Sequence, residues 1–509
     1  MTKQLINTDA NDILSRHGSH ELETQIKKYI IGTSTISENK TAIHDSRLSD
    51  ILEKIINCLP KIEFSDVLLA DYDDDLSRYT QKSGFINIPK SLIVVVVIDK
   101  ILQQAENLNI NIRKKNGESY IYNGKFWEKF EIEVLKKFLY QSSIALGYLK
   151  SESKTAVFQE LLIKTFWLNA ELPRMQDNTN TLINLSNCTL EVTYNQVNLI
   201  PHSPDHFLLY QLNFCYEKNA VNSLFISYLN KVLPDTESQL VLQEWTGYLF
   251  IKNLKLEKCA ILYGSGRNGK SVFFEILLAL LGKNNVKTFS LKHLQEEHNR
   301  AALDGKILNY GSEINSGIDP DLFKQLASGE PVQARHKYGS PFELHNYARM
   351  MFNANELPKN VEHSDAFFRR FLIIHFDQTI LENEIDIELS KKIINTELPG
   401  VLNWIIEGIK RLQINKRFSS CKKSQLLISS YKKDTDSVAI FLEENNYESD
   451  QYNSVLLKNL FNEFKMFQIE CGHSKISDRT FSKRLRQLGI KVARGTDNKN
   501  FAFVCKTKK

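Results

Sequence analysis

Eight consecutive residues carry the clearest chemistry in this chain. Gly264, Ser265, Gly266, Arg267, Asn268, Gly269, Lys270 and Ser271 satisfy the pattern GxxxxGK[ST]. In such a turn the glycines let successive backbone N–H groups point at one anion, helped by the positive end of the following helix. Lys270 then supplies a positive charge and Ser271 a hydroxyl for Mg²⁺. The flanks suit that task. Cys259 to Tyr263 reads as an apolar strand, and Val272 to Leu281 as an apolar helix closed by Gly282. The expected ligand is ATP with Mg²⁺.

Three further segments narrow the chemistry. Lys306 to Tyr310 reads as a parallel strand ending at Gly311-Ser312-Glu313, which puts an acid where ligands bind in α/β sheets. Glu313 there could orient a water and, with Ser271, support Mg²⁺. Arg349 to Pro358 is a short apolar strand that ends in amides, and Asn355 is preferred to Asn353 because the strand carries it past the sheet edge. Arg369 and Arg370 precede another strand, Phe371 to Phe376. Either guanidinium could reach the γ-phosphate of a neighbouring subunit, the other pairing with Asp365.

In order and spacing these segments resemble superfamily 3 helicases, specifically the helicase part of phage and plasmid primases of the P4/D5 type. The residues that carry the resemblance are GSGRNGKS, YGSEI, MMFNANELP and DAFFRRFLIIHF, with Gly329 to Leu344 between the second and third. Upstream, Tyr122 to Trp127, Asn184 to Asp205 and Gln243 to Leu249 look like the domain preceding the motor, so the resemblance spans about residues 115 to 509. It implies roles residue by residue. Lys270 and Ser271 match the Walker A pair, Glu313 the Walker B acid, Asn355 the sensor, and Arg369 or Arg370 the arginine finger. It also implies a homo-hexameric ring around single-stranded or forked DNA, gripped by a hairpin carrying Arg335, His336 and Lys337, with Lys337 the first choice. Two departures stand out. Ser312 occupies the place where many motors have a second acid, and the first 110 residues do not match a primase catalytic domain.

The elements that must hold these residues in place can be outlined too. At 509 residues the chain exceeds one core, and its 42% hydrophobic and 25% charged residues describe a globular protein. The fold class expected is α/β. It comprises a P-loop NTPase core (AAA+-like, superfamily 3 helicase), a mixed α+β N-terminal region and a C-terminal winged helix. The boundaries expected are 1–112, mostly helical; 113–215, α+β; 216–415, the ATPase; 416–436, a Lys- and Ser-rich linker; and 437–509, the winged helix. Asn123-Gly124 marks a two-residue hairpin turn, and Thr189 to Val192 with Val197 to Ile200 a second hairpin. Leu92 to Ile98 reads as a buried strand or helix, far short of a membrane span. No signal peptide is visible, so the chain is expected to work in the cytoplasm without a membrane.

Net charge is +5, but from Cys471 onward seven Lys and four Arg face two Asp, as a polyanion partner would require. There Ser477 or Asp478 caps a helix whose Phe481, Leu485 and Leu488 face inward while Lys483, Arg484 and Arg486 face outward. The seven cysteines, no two closer than 27 residues, read as reduced and mostly buried thiols. The function expected is an ATP-dependent DNA helicase or translocase in replication of a phage, plasmid or integrated mobile element, with a primase or polymerase as a possible partner. Two alternatives stand beside it. One is an ATP-regulated origin-binding initiator that does not unwind. The other is a primase-helicase resting on Asp71, Asp73, Asp74 and Asp75, which otherwise form a solvated acidic loop.

Overall fold

The computed structural model describes residues 48–72, 75–84, 86–115, 118–170, 180–311, 314, 319–337, 339–358, 362–471, 475–495 and 498–507. The chain divides into two compact units, one of residues 1–175 with 203–207 and one of 176–202 with 208–509.

In the first unit the apolar run Leu92 to Ile98 lies within the helix Lys90–Asn107, burying Val94, Val96, Val97 and Ile98 completely. That helix packs on the helix Ala156–Asn169, beside an antiparallel sheet of β1 (Asn111–Lys115), β2 (Glu118–Tyr122) and β3 (Trp127–Phe130). A single core runs from Leu48 to Ala170, so the structure has no boundary at residue 112. The β2–β3 loop is longer than a two-residue turn. Register pairs Tyr122 with Trp127, and the Asn123 carboxamide oxygen accepts the N–H groups of Lys125 and Phe126 at 3.0 Å each. The Asn side chain thus reinforces the backbone bond from the Asn123 N–H to the Phe126 carbonyl at 3.1 Å that closes the loop. Asp71 ends a helix and pairs with Lys100 at 2.7 Å, while Asp75 caps a 3₁₀ turn through the Ser77 N–H; Asp73 and Asp74 lie outside the described residues. Among the described residues no group of His, Cys, Asp and Glu is arranged to hold a metal.

The second unit begins with a meander of β4 (Thr181–Asn184), β5 (Thr189–Val192) and β6 (Val197–Ile200). Its centre is a five-stranded parallel sheet. The chain supplies β7 (Cys259–Tyr263), β8 (Val286–Lys287), β9 (Leu308–Gly311), a separate hairpin of β10 (Val332–Arg335) and β11 (Pro341–Leu344), then β12 (Arg349–Ala354) and β13 (Phe371–His375). The spatial order is β13-β7-β12-β9-β8, every pair parallel. Ile261, Met351, Phe352 and Ile373 are fully buried because helices cover both faces, as a parallel sheet demands. Asn309 is buried as well. Its side chain both accepts from and donates to the Phe289 backbone, at 3.0 and 2.9 Å, continuing the ladder beyond the short β8. The helices Thr236–Tyr248 and Leu398–Asn415 cross closely at Gly247 and Gly408. Between them Glu244, wholly buried, accepts from Arg411 and from the Ser419 N–H.

The segment expected to be a linker is instead the helix Lys422–Asp434, packed on β13. Its lysines and serines mask an inward stripe of Ser424, Leu427, Ile428 and Tyr431, whose ring meets Phe368 and Phe371 edge-on. The described residues of the remainder include the helices Ser437–Glu444, Leu457–Glu470 and Asp478–Gln487. With them lie β14 (Tyr447–Ser449), β15 (Val455–Leu456), β16 (Val492–Arg494), β17 (Asn500–Ala502) and β18 (Val504–Lys506). The strands form an antiparallel β15-β17-β16 sheet and a β14-β18 pair around a core that includes Phe441, Phe464 and Phe481. No described helix is long and apolar enough to cross a membrane. All seven cysteines are free, yet only Cys188, Cys259 and Cys421 are buried, fewer than expected.

The close helix crossing makes a direct prediction. A Cβ on Gly408 would lie 2.3 Å from the Gln243 carbonyl oxygen, which is rigid backbone. Gly408→Ala gains about 1 kcal/mol of helix propensity but loses more to overpacking, for a net loss of about 1–2 kcal/mol. Denaturant melts should show it; unchanged or raised stability would contradict this packing.

Candidate functional site

Strand order places β7 between β13 and β12, so the loop leaving β7 opens at the carboxyl edge of the sheet where neighbouring connections diverge. Local chemistry fixes the loop's shape. The Gly264 N–H donates to the Ala354 carbonyl at 3.0 Å, and a Cβ on Gly264 would fall 2.4 Å from the Phe376 carbonyl oxygen. Gly266 and Gly269 have φ of +98° and +82°, and Arg267, unusually for a non-glycine, +50°. Braces hold this strained turn. The Arg267 carbonyl accepts the Ile380 N–H at 2.9 Å, its guanidinium pairs with Glu382 at 2.8 Å, and the buried Asn268 donates to the Phe376 carbonyl at 3.1 Å. Tyr228 donates its hydroxyl to the Gly269 carbonyl at 2.8 Å. The sequence pattern treats positions 265 to 268 as interchangeable, and it is silent on Tyr228.

Lys270 opens the helix Lys270–Leu281 and is only 5% exposed. Its ammonium donates to the Gly264 carbonyl at 2.6 Å and lies 3.4 Å from the Asn355 carboxamide oxygen. Among the described residues no carboxylate pairs with it, and burial pulls its pKa below the ordinary lysine value. Ser271, next along the helix, is exposed. The structure therefore brings together Lys270 and Asn355, the latter just beyond the end of β12. Asn353 stays within that strand, its side-chain oxygen buried without a hydrogen bond. Ser312 and Glu313 follow the last residue of β9 and lie outside the described residues.

The two arginines differ sharply. Arg370 is buried, donating to the Lys324 and Ala366 carbonyls at 3.1 and 2.6 Å and to the Ser328 hydroxyl at 3.0 Å. Arg369 has a 62% exposed side chain and, among the described residues, one ion pair, with Glu257 at 3.1 Å. Both precede β13, and the Arg370 carbonyl accepts the N–H of Cys259, the first residue of β7. They sit at the amino edge of the sheet, a five-residue strand or roughly 16 Å from the loop of their own chain.

The β10–β11 hairpin carries Arg335, His336 and Lys337, all exposed. Arg335 pairs with Glu297 at 2.8 Å, and His336 stacks on Phe342 with ring centroids 4.9 Å apart. Sequence reasoning missed the residue that anchors it. Arg300 is buried and donates to the Gln333, Leu294 and Gln295 carbonyls at 2.6, 2.9 and 2.7 Å. In the last helix Ser477 is the N-cap, Phe481 and Leu485 are fully buried, and Lys483 and Arg486 are exposed. Two expectations are corrected there. Leu488, at the C-cap, is 39% exposed, and Arg484 turns inward to within 3.5 Å of Asp436 and Ser437. Position 484 lies one turn from Phe481 and beside Leu485, on the margin of the buried stripe.

These features define a mixed α/β protein with a parallel sheet and a glycine-rich loop at its carboxyl edge. A protein-family model described as a family of unknown function (DUF5906) matches residues 262–370, the stretch from the loop to Arg370. The chain is similar to solved structures of the NrS-1 C-terminal region. Two apo structures, at 14% and 15% identity, each have a TM-score of 0.44 over 79% of this chain and 97% of that one. A further structure of residues 305–718, at 14% identity, scores 0.43 over 79% of this chain and 98% of that one.

Because Gly269 holds φ of +82° with a Cβ position 2.6 Å from Val232, Gly269→Ala imposes about 1–3 kcal/mol of strain on the loop. Thermal melts should show a lower midpoint for this variant than for wild type. An unchanged midpoint would mean that position 269 does not need its positive φ.

Proposed function

We propose that this chain is an ATP-driven helicase or translocase of the superfamily 3 type, acting on DNA in replication of a phage, plasmid or integrated mobile element. The observation that carries the reading is the buried Lys270 ammonium, which faces Asn355 inside a glycine loop and pairs with no carboxylate among the described residues. A buried cation so placed calls for an anionic ligand, and the N–H groups at a helix start favour phosphate.

Roles follow from position. Lys270 would bind the β- and γ-phosphates, and Asn355 would hold the γ-phosphate or the attacking water. Ser271 and Glu313 would hold Mg²⁺, which neutralises charge on the phosphates when bound. Arg369, exposed and at the far edge of the sheet, would serve the loop of an adjacent subunit. Arg370 is the structural arginine of the pair, which supports a ring with sites between subunits. The hairpin residues Arg335, His336 and Lys337 would grip the backbone of one strand. The three helices and the β15-β17-β16 sheet of residues 437–509 support a winged helix that meets duplex through Lys483 and Arg486.

The purified protein should hydrolyse ATP faster with single-stranded DNA and separate a forked duplex, and Lys270→Ala should abolish both. Nucleotide-dependent DNA binding without strand separation would favour the origin-binding alternative instead. Arg369→Ala should cost about a thousandfold in hydrolysis while leaving ATP binding intact, as loss of a charge-stabilising arginine does elsewhere. Mixing that variant with Lys270→Ala protein should restore part of the activity, since each contributes the half the other lacks. No recovery in mixtures would rule out a shared site.

A further inference from the structure

The helix Lys422–Asp434 and the residues just after it touch both the α/β core and the last helix of the chain. Asp436 lies at the centre of the contact. One carboxylate oxygen caps the helix Ser437–Glu444 by accepting the Val438 N–H at 3.0 Å and lies 3.5 Å from the Arg484 guanidinium. The other lies 3.7 Å from the imidazole of His363. All three side chains are nearly enclosed, at 7%, 11% and 8% exposure for Asp436, Arg484 and His363. The His363 Nε2 is 2.7 Å from the Lys432 carbonyl oxygen, which can only accept, so that nitrogen carries a proton. The ring also stands edge-on to Phe368, centroids 5.3 Å apart.

Phe368 ends the single helical turn Asp365–Phe368, and the next residue is Arg369. The turn is pinned from the same side by the Lys432–Asp365 ion pair and by the Tyr431 ring on Phe368. A continuous path of contacts thus runs from Arg484, through Asp436 and His363, to the segment that presents Arg369. On the outer side of the last helix, Lys483 and Arg486 flank Arg484 and are exposed. A phosphate held by those two would compete with Asp436 for the Arg484 guanidinium, giving the two states of the contact different free energies, which any coupling between sites requires.

We propose that Asp436 and His363 are positioning residues that couple DNA held on the helix Asp478–Gln487 to the placement of Arg369. The inference rests on the reading of Arg369 as an arginine acting on bound ATP. Asp436→Asn removes the charge but keeps the cap, since asparagine caps as well as aspartate. His363→Gln keeps a donor for the Lys432 carbonyl.

The test measures ATP hydrolysis by the full chain with and without single-stranded DNA, together with DNA affinity by fluorescence anisotropy. Each variant should keep its DNA-free turnover and its DNA affinity while losing about tenfold of the stimulation by DNA. Full stimulation in both variants would overturn the coupling, as would a loss that tracks a fall in DNA affinity. Should Asp436→Asn melt below wild type, the same comparison in His363→Gln decides the matter. A wild-type protein whose hydrolysis ignores DNA would instead overturn the motor reading and this inference with it.

Discussion

Placing a lysine ammonium out of water costs several kcal/mol unless something compensates, and the second unit is organised around one such group. Lys270 has a backbone carbonyl and a carboxamide oxygen beside it, and no carboxylate among the described residues. Its position depends on a loop with three residues at positive φ. That loop is tied down by Asn268, Tyr228 and the segment after β13. The segment in turn is fixed to the helix Lys422–Asp434 by the 2.7 Å Lys423–Asp377 ion pair. These contacts together keep one buried positive charge beside the Gly264 carbonyl and the Asn355 side chain.

The two edges of the parallel sheet carry different chemistry. Lys270 and Asn355 emerge at the carboxyl edge, because the loops that follow β7 and β12 begin there. The arginine pair lies at the amino edge, beside the start of β7. Arg370 is spent on the Lys324 and Ala366 carbonyls and on Ser328, which leaves Arg369 as the arginine that faces outward.

Much of this was legible in the sequence, for identifiable reasons. The strand-loop-helix around Gly264 to Ser271 is written in composition: an apolar run, glycines and an apolar helix closed by Gly282. The β5–β6 hairpin and the last helix were visible through alternation and period. What escaped depended on partners distant in sequence. The segment 416–436 reads as polar because the stripe of Ser424, Leu427, Ile428 and Tyr431 has meaning only against Phe368 and Phe371. Arg484 looks like its neighbours Lys483 and Arg486 until Asp436 is placed beside it. Arg300 resembles any surface arginine, yet its guanidinium satisfies three carbonyls that no local rule identifies. A boundary at residue 112 looked natural where helices give way to strands, but both share one core.

The position of β7 in the sheet also bears on how the chain acquires its shape. Among the described residues β7 pairs with β12 and β13 alone, both of which follow it at long range, and the first loop N–H finds its acceptor in Ala354 of β12. During synthesis the loop residues leave the ribosome well before any strand that can hold them. Pairing at such sequence separation is slow because a long stretch of chain must be closed first. Until Arg349 to His375 has been made, the phosphate-loop sequence exists without its geometry, and a chain cut short of β12 would carry the motif with no site.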